Sequence, residues 1–265
     1  MITMNSLTKR QYQTAFTLIE MAMVLMIVGL LLGGLIIPLS AQMEQRNISD
    51  TRKALDEIQQ ALVGYAVING RLPCPADGTT PASGVNAAVP PIPAGQEYRD
   101  PITGACAAAI VASNNARGVI PWATLGINET DAWGRRYTYQ VTANWADGAP
   151  VPDGTGATAC NVSVGVSFQL CSTPNLNIFS TVGGINLTPN GVPAVIVSHG
   201  KNGYGAYTPN GGPPLTTSPY TDEADNSDGD VNFVSKTVTA TFDDLVVGIS
   251  PNVLFNRMVS AGKLP

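Results

Sequence analysis

Residues 16–37 read FTLIEMAMVLMIVGLLLGGLII, and this stretch decides how the rest of the chain is interpreted. It is 22 residues long and carries a single charge, Glu20. As a helix it is long enough to cross the hydrocarbon core of a bilayer, which is about 30 Å thick. Lys9 and Arg10 precede it, which orients the N-terminus toward the cytoplasm. The sequence therefore predicts one membrane-spanning helix at residues 16–37.

Two ordinary kinds of segment explain this stretch poorly. A secretory signal peptide cleaved near Ala41 has an apolar core of about 7–15 residues, which is shorter than the stretch seen here. A plain signal anchor leaves Glu20 unexplained, because an ionisable group at the bilayer centre costs about 2.5–3.5 kcal/mol. A third interpretation must explain why the Glu20 carboxylate lies within the apolar stretch.

That interpretation rests on the string Ala15-Phe16-Thr17-Leu18-Ile19-Glu20, which follows a short basic leader at residues 1–15. The string resembles the N-terminal signal of type IV pilins and type II secretion pseudopilins. The resemblance implies that a prepilin peptidase cleaves between Ala15 and Phe16 and methylates the new amine of Phe16. It also implies that Glu20 meets the α-amine of a neighbouring subunit, so that the pair fixes the register of assembly. The family usually has glycine where this chain has Ala15.

An amphipathic pattern follows the apolar stretch. Its apolar positions recur at roughly heptad and half-heptad spacing: Ile48, Leu55, Ile58, Leu62 and Tyr65. Pro38 removes one backbone hydrogen bond and can kink a helix at that point. Gly70 is a natural stop, which Pro73 reinforces. We predict a helix from residue 16 to about residue 69, with residues 38–70 as its amphipathic continuation.

Residues 71–265 are rich in glycine and proline and predict a β-domain with long loops. Residues 71–118 are expected to be mostly loop. Strand patterns occupy residues 136–143, 162–170, 192–198 and 231–242, the last holding one or two strands. Residues 252–261 predict a short helix against this domain. The predicted fold class is α+β: a long N-terminal helix, membrane-spanning in its first half, packed on an antiparallel β-sheet as in pilins.

Two strings in the β-domain add to the resemblance. The string Asp131-Ala132-Trp133-Gly134-Arg135-Arg136-Tyr137 is similar to the DxWGxxY motif of pseudopilin soluble domains. The resemblance implies that it opens the first sheet strand, with Trp133 and Tyr137 in the core and Gly134 in a turn. Residues 198–205, SHGKNGYG, look like the glycine-rich turn that follows a later strand in the same domains.

The chain has four cysteines: Cys74, Cys106, Cys160 and Cys171. An even number in a turn-rich region with little charge indicates two disulfides in an oxidising compartment, although four buried free thiols are the alternative. Four cysteines allow three pairings. We favour Cys74–Cys106 and Cys160–Cys171, because each of these closes a short loop.

An acidic loop holds Asp222, Glu223, Asp225, Asp228 and Asp230. Closely spaced carboxylates suit Ca²⁺, and the resemblance implies a calcium site here, since major pseudopilins have one in their C-terminal loop. The spacing does not match an EF-hand. We expect Asp225, Asp228 and Asp230 to be the ligands of such an ion; the alternative is a solvated acidic loop. Calcium is the one cofactor that the sequence suggests.

Several function classes are disfavoured. The net charge is −5 and no large basic patch occurs, so nucleic acid is not an expected partner. His199 is the only histidine, which is too few for a zinc site, and the sequence identifies no nucleophile and orienting acid for it. No Walker loop or GxSxG motif is present. We therefore expect no enzyme, and we expect His199 to cap or bridge a turn.

The function expected from the sequence is that of a minor pilin or pseudopilin, a structural subunit of a type IV pilus or a type II secretion pseudopilus. Its expected partners are the prepilin peptidase, other pilin subunits and the bacterial inner membrane. The membrane is crossed once, with the N-terminus in the cytoplasm and residues 71–265 in the periplasm, or at the cell surface after assembly. The alternative is an uncleaved, membrane-anchored periplasmic binding module.

Overall fold

The computed structural model describes residues 17–112, 114–147 and 166–264, and for residues 32–39 it describes the backbone alone. The helices are α1 (Leu18–Asn69), α2 (Trp122–Leu125), α3 (Ala143–Ala146), α4 (Thr221–Ala224) and α5 (Pro251–Ser260), with a 3-10 turn at Ala108–Ile110. The strands are β1 (Val111–Ala112), β2 (Asn115–Val119), β3 (Thr138–Thr142), β4 (Asn177–Phe179), β5 (Ala194–Ser198), β6 (Asn232–Val234) and β7 (Leu245–Gly248). The chain divides into two compact units, residues 1–46 and residues 47–265.

Helix α1 confirms the predicted long helix and is continuous through residue 38. Thr17 and Glu20 cap its first turn reciprocally: the Glu20 amide donates to Thr17 Oγ1 at 3.3 Å, and the Thr17 amide donates to Glu20 Oε2 at 2.9 Å. The helix ends where Gly70 adopts a φ of 72°, which glycine reaches without a Cβ penalty.

The predicted apolar stripe of α1 faces the core of the second unit. Ile48, Leu55, Ile58 and Leu62 are buried, and Tyr65 is half-buried. The four buried side chains pack in one cluster with residues of β3 and β5, among them Tyr139 and Ile196. The stripe supplies the apolar surface that an isolated amphipathic helix lacks, so tertiary packing stabilises this half of α1.

The main sheet of the described residues has five strands in the order β1-β2-β3-β5-β7, and every neighbouring pair is antiparallel. All residues of β3 and β5 are buried. In β5, Ile196 faces the α1 cluster, whereas Val195 and Val197 face a second apolar cluster with Phe233 and Ile178. Both faces are covered, which is why this strand is a continuous apolar run.

A second, two-stranded sheet pairs β4 with β6 in parallel, with Ile178 opposite Phe233. Strand β7 forms one edge of the main sheet, and side chains hydrogen-bond to its outer carbonyl groups. Gln59 of α1 donates from Nε2 to the Gly248 carbonyl at 3.0 Å, and Ser235 Oγ donates to the Val246 carbonyl at 3.5 Å. Two edge carbonyls of β7 are thus bonded by side chains.

The structure changes several predicted element bounds. The loop expected over residues 71–118 contains the 3-10 turn, β1 and most of β2. The strand expected over residues 162–170 is wrong in its described part, since residues 166–170 form no strand. Val166 and Phe168 are buried there in the main apolar cluster, where Phe168 stacks on Trp145 with ring centroids 4.5 Å apart, so their alternation reflects core packing without strand pairing. Strand β6 joins the small sheet, and the predicted C-terminal helix is α5.

Candidate functional site

The N-terminal region presents an apolar helical surface. Ala15 and Phe16, where cleavage is predicted, lie outside the described residues. From Leu18 to Leu31 every large apolar side chain is exposed. The Glu20 carboxylate accepts a hydrogen bond from the Thr17 hydroxyl at 2.8 Å, so among the described residues its partner is a neutral group. Among the residues that the structure places, no helix has the combination of length and apolarity that crossing a membrane requires.

One predicted disulfide is present. Cys74 and Cys106 are bonded, with Cα atoms 5.4 Å apart, and close a loop of 32 residues. Cys171 is also disulfide-bonded. Its predicted partner, Cys160, lies outside the described residues, so that pairing stays a prediction.

The three predicted calcium ligands lie together. Asp225, Asp228 and Asp230 each offer a carboxylate oxygen, and these oxygens lie within 4.8 Å of one another. Burial raises the pKa of Asp225 to about 6, and repulsion from Asp230, Asp228 and Asp222 adds to this rise. This repulsion among acids is the electrostatic condition that favours a bound cation, and the Arg117 guanidinium, which interacts with Asp228 and Asp230, offsets part of it.

The other two acids of the loop have different roles. Asp222 forms an ion pair with Lys236, whose ammonium lies 4.9 Å from the centre of the Phe242 ring. Glu223 is buried and accepts hydrogen bonds from Asn202 Nδ2 at 2.7 Å and Ser218 Oγ at 2.5 Å. Neither belongs to the Asp225–Asp228–Asp230 group.

Glu223 belongs instead to a second group of three acids, which the sequence did not predict. Its carboxylate lies with those of Asp243 and Asp244, one oxygen from each within 4.8 Å of the others. Burial raises the pKa of Asp243 to about 7; the Asn202 amide opposes the rise and the nearby Glu223 adds to it. Burial also raises the pKa of Asp244. Burial acts in the same direction on Glu223, but hydrogen bonds led by those from Ser218 and Asn202 outweigh it and hold the pKa of Glu223 below its usual value.

His199 sits against this second group. Its Nε2 and the Thr138 Oγ1 are 2.8 Å apart, and its Nδ1 lies 3.7 Å from Asp244 Oδ1. Its backbone carbonyl accepts a hydrogen bond from the Gly203 amide, so it holds the glycine-rich turn as expected. All three side chains are buried at 1% exposure or less, and neither His199 Nδ1 nor Asp244 Oδ1 has a hydrogen-bond partner among the described residues. The hydroxyl, the imidazole and the carboxylate therefore form no hydrogen-bonded relay, and the Thr138–His199 contact fastens β3 to the turn that follows β5.

The DxWGxxY string makes a tight turn. Asp131 Oδ1 accepts hydrogen bonds from the Trp133 and Arg135 amides at 2.9 Å each, and Asp131 Oδ2 accepts one from Ser198 Oγ at 2.6 Å. Gly134 has a φ of 78°, as a turn residue with positive φ requires. Tyr137 is in the core and Trp133 is half-buried. The strand that follows is β3, at the centre of the sheet, and not the first strand as expected.

Two paired cations, Arg136 and the half-buried Arg71, are not indicated by the sequence patterns. Arg136 is fully buried, pairs with Glu129 at 2.7 Å, and donates to the Gly78 and Thr80 carbonyls. Arg71 forms a two-bond ion pair with Glu97, both bonds at 2.8 Å. In both cases the sequence shows a charged residue beside a glycine- and proline-rich loop. Sequence spacing alone does not show which acid forms an ion pair with it.

Comparison with known proteins bears on the N-terminus. The family model described as the prokaryotic N-terminal methylation motif matches residues 10–36. Neither the curated proteins nor the solved structures include a match to this chain. The matched span covers the expected cleavage point, Glu20 and nearly all of the apolar stretch. The chain therefore carries the N-terminal methylation motif, the signature of type IV pilin and pseudopilin precursors.

Proposed function

We propose that this chain is a minor pilin or pseudopilin, a structural subunit of a type IV pilus or a type II secretion pseudopilus. The observation that carries the proposal is the methylation motif at residues 10–36. The α+β fold, with a long N-terminal helix and an antiparallel sheet, agrees with it. The motif implies processing by a prepilin peptidase and points to a structural subunit rather than an enzyme.

In this proposal the peptidase cleaves between Ala15 and Phe16 and methylates the Phe16 amine. Before assembly, residues 16–37 anchor the subunit in the inner membrane, with residues 71–265 on the periplasmic side. During assembly, Glu20 exchanges its Thr17 partner for the amine of a neighbouring subunit. The exchange supports a single register, because a carboxylate in an apolar contact is costly unless a cation meets it.

Processing is tested by the mass of the N-terminal peptide from protein expressed with its native peptidase. We expect a peptide that begins at N-methylated Phe16. The specific point in favour of the alternative, an uncleaved membrane-anchored binding module, is Ala15 at a position where glycine is usual. A peptide that retains residues 1–15 contradicts the assembly proposal and favours that module.

Assembly is tested separately with Glu20→Gln. This variant keeps the size of the side chain but removes the charge, so we expect normal processing and loss of the subunit from sheared filament fractions. Glu57→Gln, an exposed acid farther along α1, is the matched control and should assemble like the wild type. Normal incorporation of the Glu20→Gln subunit rules out Glu20 as the assembly carboxylate.

We also propose that Asp225, Asp228 and Asp230 bind calcium. Isothermal titration with Ca²⁺ should show binding to the wild-type chain and none to Asp225→Asn/Asp228→Asn. Asp222→Asn is the control, because Asp222 belongs to the same loop but pairs with Lys236. Binding that survives the double variant refutes this ligand set.

A further inference from the structure

The fold brings three acids and a histidine together from segments that are far apart in sequence. Glu223 lies in α4, and Asp243 and Asp244 directly precede β7. One carboxylate oxygen from each acid lies within 4.8 Å of the other two. His199 directly follows β5, and its Nδ1 lies 3.7 Å from Asp244 Oδ1. These four residues are here called the Asp244–His199 group.

Three atoms of the Asp244–His199 group are buried without a hydrogen-bond partner among the described residues: Asp243 Oδ1, Asp244 Oδ1 and His199 Nδ1. Asp244 and His199 are only 1% and 0% exposed, so bulk water does not reach them. His199 Nε2 already lies 2.8 Å from Thr138 Oγ1, which leaves Nδ1 as the ring atom open to another contact. Buried polar atoms normally have a partner, and three unpaired ones in a single group indicate a ligand that they share.

The charge of the group indicates what kind of ligand this is. Among the residues that the structure describes, no lysine or arginine forms an ion pair with any of its three acids. Even as an imidazolium, His199 balances one of three carboxylates. A water molecule can satisfy unpaired polar atoms but leaves the charge unchanged, whereas a divalent cation does both.

We propose that the Asp244–His199 group binds a divalent transition-metal ion that holds α4, the turn after β5 and the segment before β7 together. Zn²⁺ accepts both carboxylate oxygen and imidazole nitrogen, whereas Ca²⁺ takes oxygen ligands. One histidine is too few for a zinc site made of histidines and cysteines, but here three acids supply the other ligands. Asp243 is only half-buried, so the ion enters from its side of the group.

In protein that a chelator keeps free of metal, a proton takes the place of the ion. Burial raises the pKa of Asp243 to about 7, and the nearby Glu223 and Asp244 add to the rise. That proton neutralises only one of the three carboxylates. The ion displaces it and also gives a partner to the unpaired atoms, so metal binding should stabilise the folded chain.

The test is Zn²⁺ binding to the full chain in detergent. The parent protein carries Asp225→Asn/Asp228→Asn, which removes the ligands proposed for calcium, and it is stripped with EDTA and moved to chelator-free buffer. Isothermal titration should show about one Zn²⁺ per chain, bound roughly tenfold more tightly than Ca²⁺, because imidazole is a ligand for zinc. Zn²⁺ at about a hundredfold its dissociation constant should raise the melting temperature by about 5 °C or more.

Asp244→Asn is the deciding variant. Its amide can donate to His199 Nδ1, and its oxygen can still accept the hydrogen bond that Asn226 Nδ2 donates to Asp244 at 2.8 Å. The stripped variant should therefore melt no lower than the stripped parent, yet bind Zn²⁺ at least about tenfold more weakly. Asp243→Asn, at the half-buried position, is a second variant and should lose Zn²⁺ in the same way.

Asp222→Asn is the matched control, because Asp222 lies next to Glu223 in sequence but pairs with Lys236. It should bind Zn²⁺ as the parent does. A parent that binds no Zn²⁺ at about 1 mM overturns the proposal, and so do two aspartate variants that bind it as tightly as the parent. Equal affinity for Ca²⁺ and Zn²⁺ overturns the assignment to a transition metal. None of these outcomes bears on cleavage before Phe16, which is measured independently.

Discussion

At the scale of single residues, Asp243 shows how burial makes stability depend on pH. Its pKa is raised from 3.8 to about 7, chiefly because burial disfavours the charged form. A carboxyl with a raised pKa binds its proton more tightly in the folded protein than in the unfolded chain. The stability of the fold therefore falls as the pH rises from about 4 to about 7.

Asp243→Asn removes this charge while keeping an oxygen for the Asn202 amide. We expect the variant to melt at a higher temperature than the wild type at pH 8, where Asp243 is ionised. At pH 5, where Asp243 is mostly protonated, the difference should shrink. Thermal melts at both values measure the effect, with exposed Asp50→Asn as the control. An equal difference at pH 5 and pH 8 would mean that Asp243 is not the titrating group.

The sequence predicted one of the two acidic groups described above but not the other. Asp225, Asp228 and Asp230 are close in the chain, so their proximity in space could be predicted. The group of Glu223, Asp243 and Asp244 could not, because the fold brings its members together across 20 residues. Contacts of that kind depend on the path of the chain between them, which residue spacing does not encode.

At the scale of elements, α1 was predictable because its apolar period and its glycine stop agree. Strand β2, with sequence NARGV, was not predictable, because Asn115 and Arg117 give it the composition of a loop. It is a strand because it pairs along its length with β3, from Asn115 opposite Thr142 to Val119 opposite Thr138. Pairing partners far along the chain decide such strands, whereas a helix is decided by its own period.

Gly64, inside α1, and Gly70, which follows its last residue, should respond in opposite ways to the same change. Gly70→Ala puts a Cβ on a residue with φ of 72° and should lower the free energy of unfolding by about 1–2 kcal/mol. Gly64→Ala, inside the helix with open space around it, should raise it by about 0.8–1 kcal/mol. Urea titration measures both. A stabilising Gly70→Ala would contradict the glycine stop.

At the scale of the whole molecule, the second unit depends on two apolar clusters and on covalent closure of its long loop. The clusters lie on the two faces of β5 and share no residue. Between α1 and the 3-10 turn no helix forms, and the Cys74–Cys106 bond spans this part of the chain. Closing 32 residues removes freedom mainly from the unfolded chain.

Cys74→Ala/Cys106→Ala should therefore lower the free energy of unfolding by about 3–4 kcal/mol, the loop-entropy expectation for this separation. Urea titration under non-reducing conditions measures the loss while the bond at Cys171 stays intact. Wild-type protein under reducing conditions is the comparison and should lose at least as much. A change below about 1 kcal/mol would show that native contacts already hold the loop in place.

The side-chain hydrogen bonds to β7 bear on whether a strand of another molecule can add to the sheet. An open sheet edge is a template on which a strand from another molecule can add, and repeated addition leads to fibrils of the amyloid kind. Gln59 and Ser235 occupy two of the carbonyls that such a strand would need. In the proposed assembly, where many copies lie side by side, growth through the backbone would be hindered, and contact between copies would be left to side chains, which can be specific.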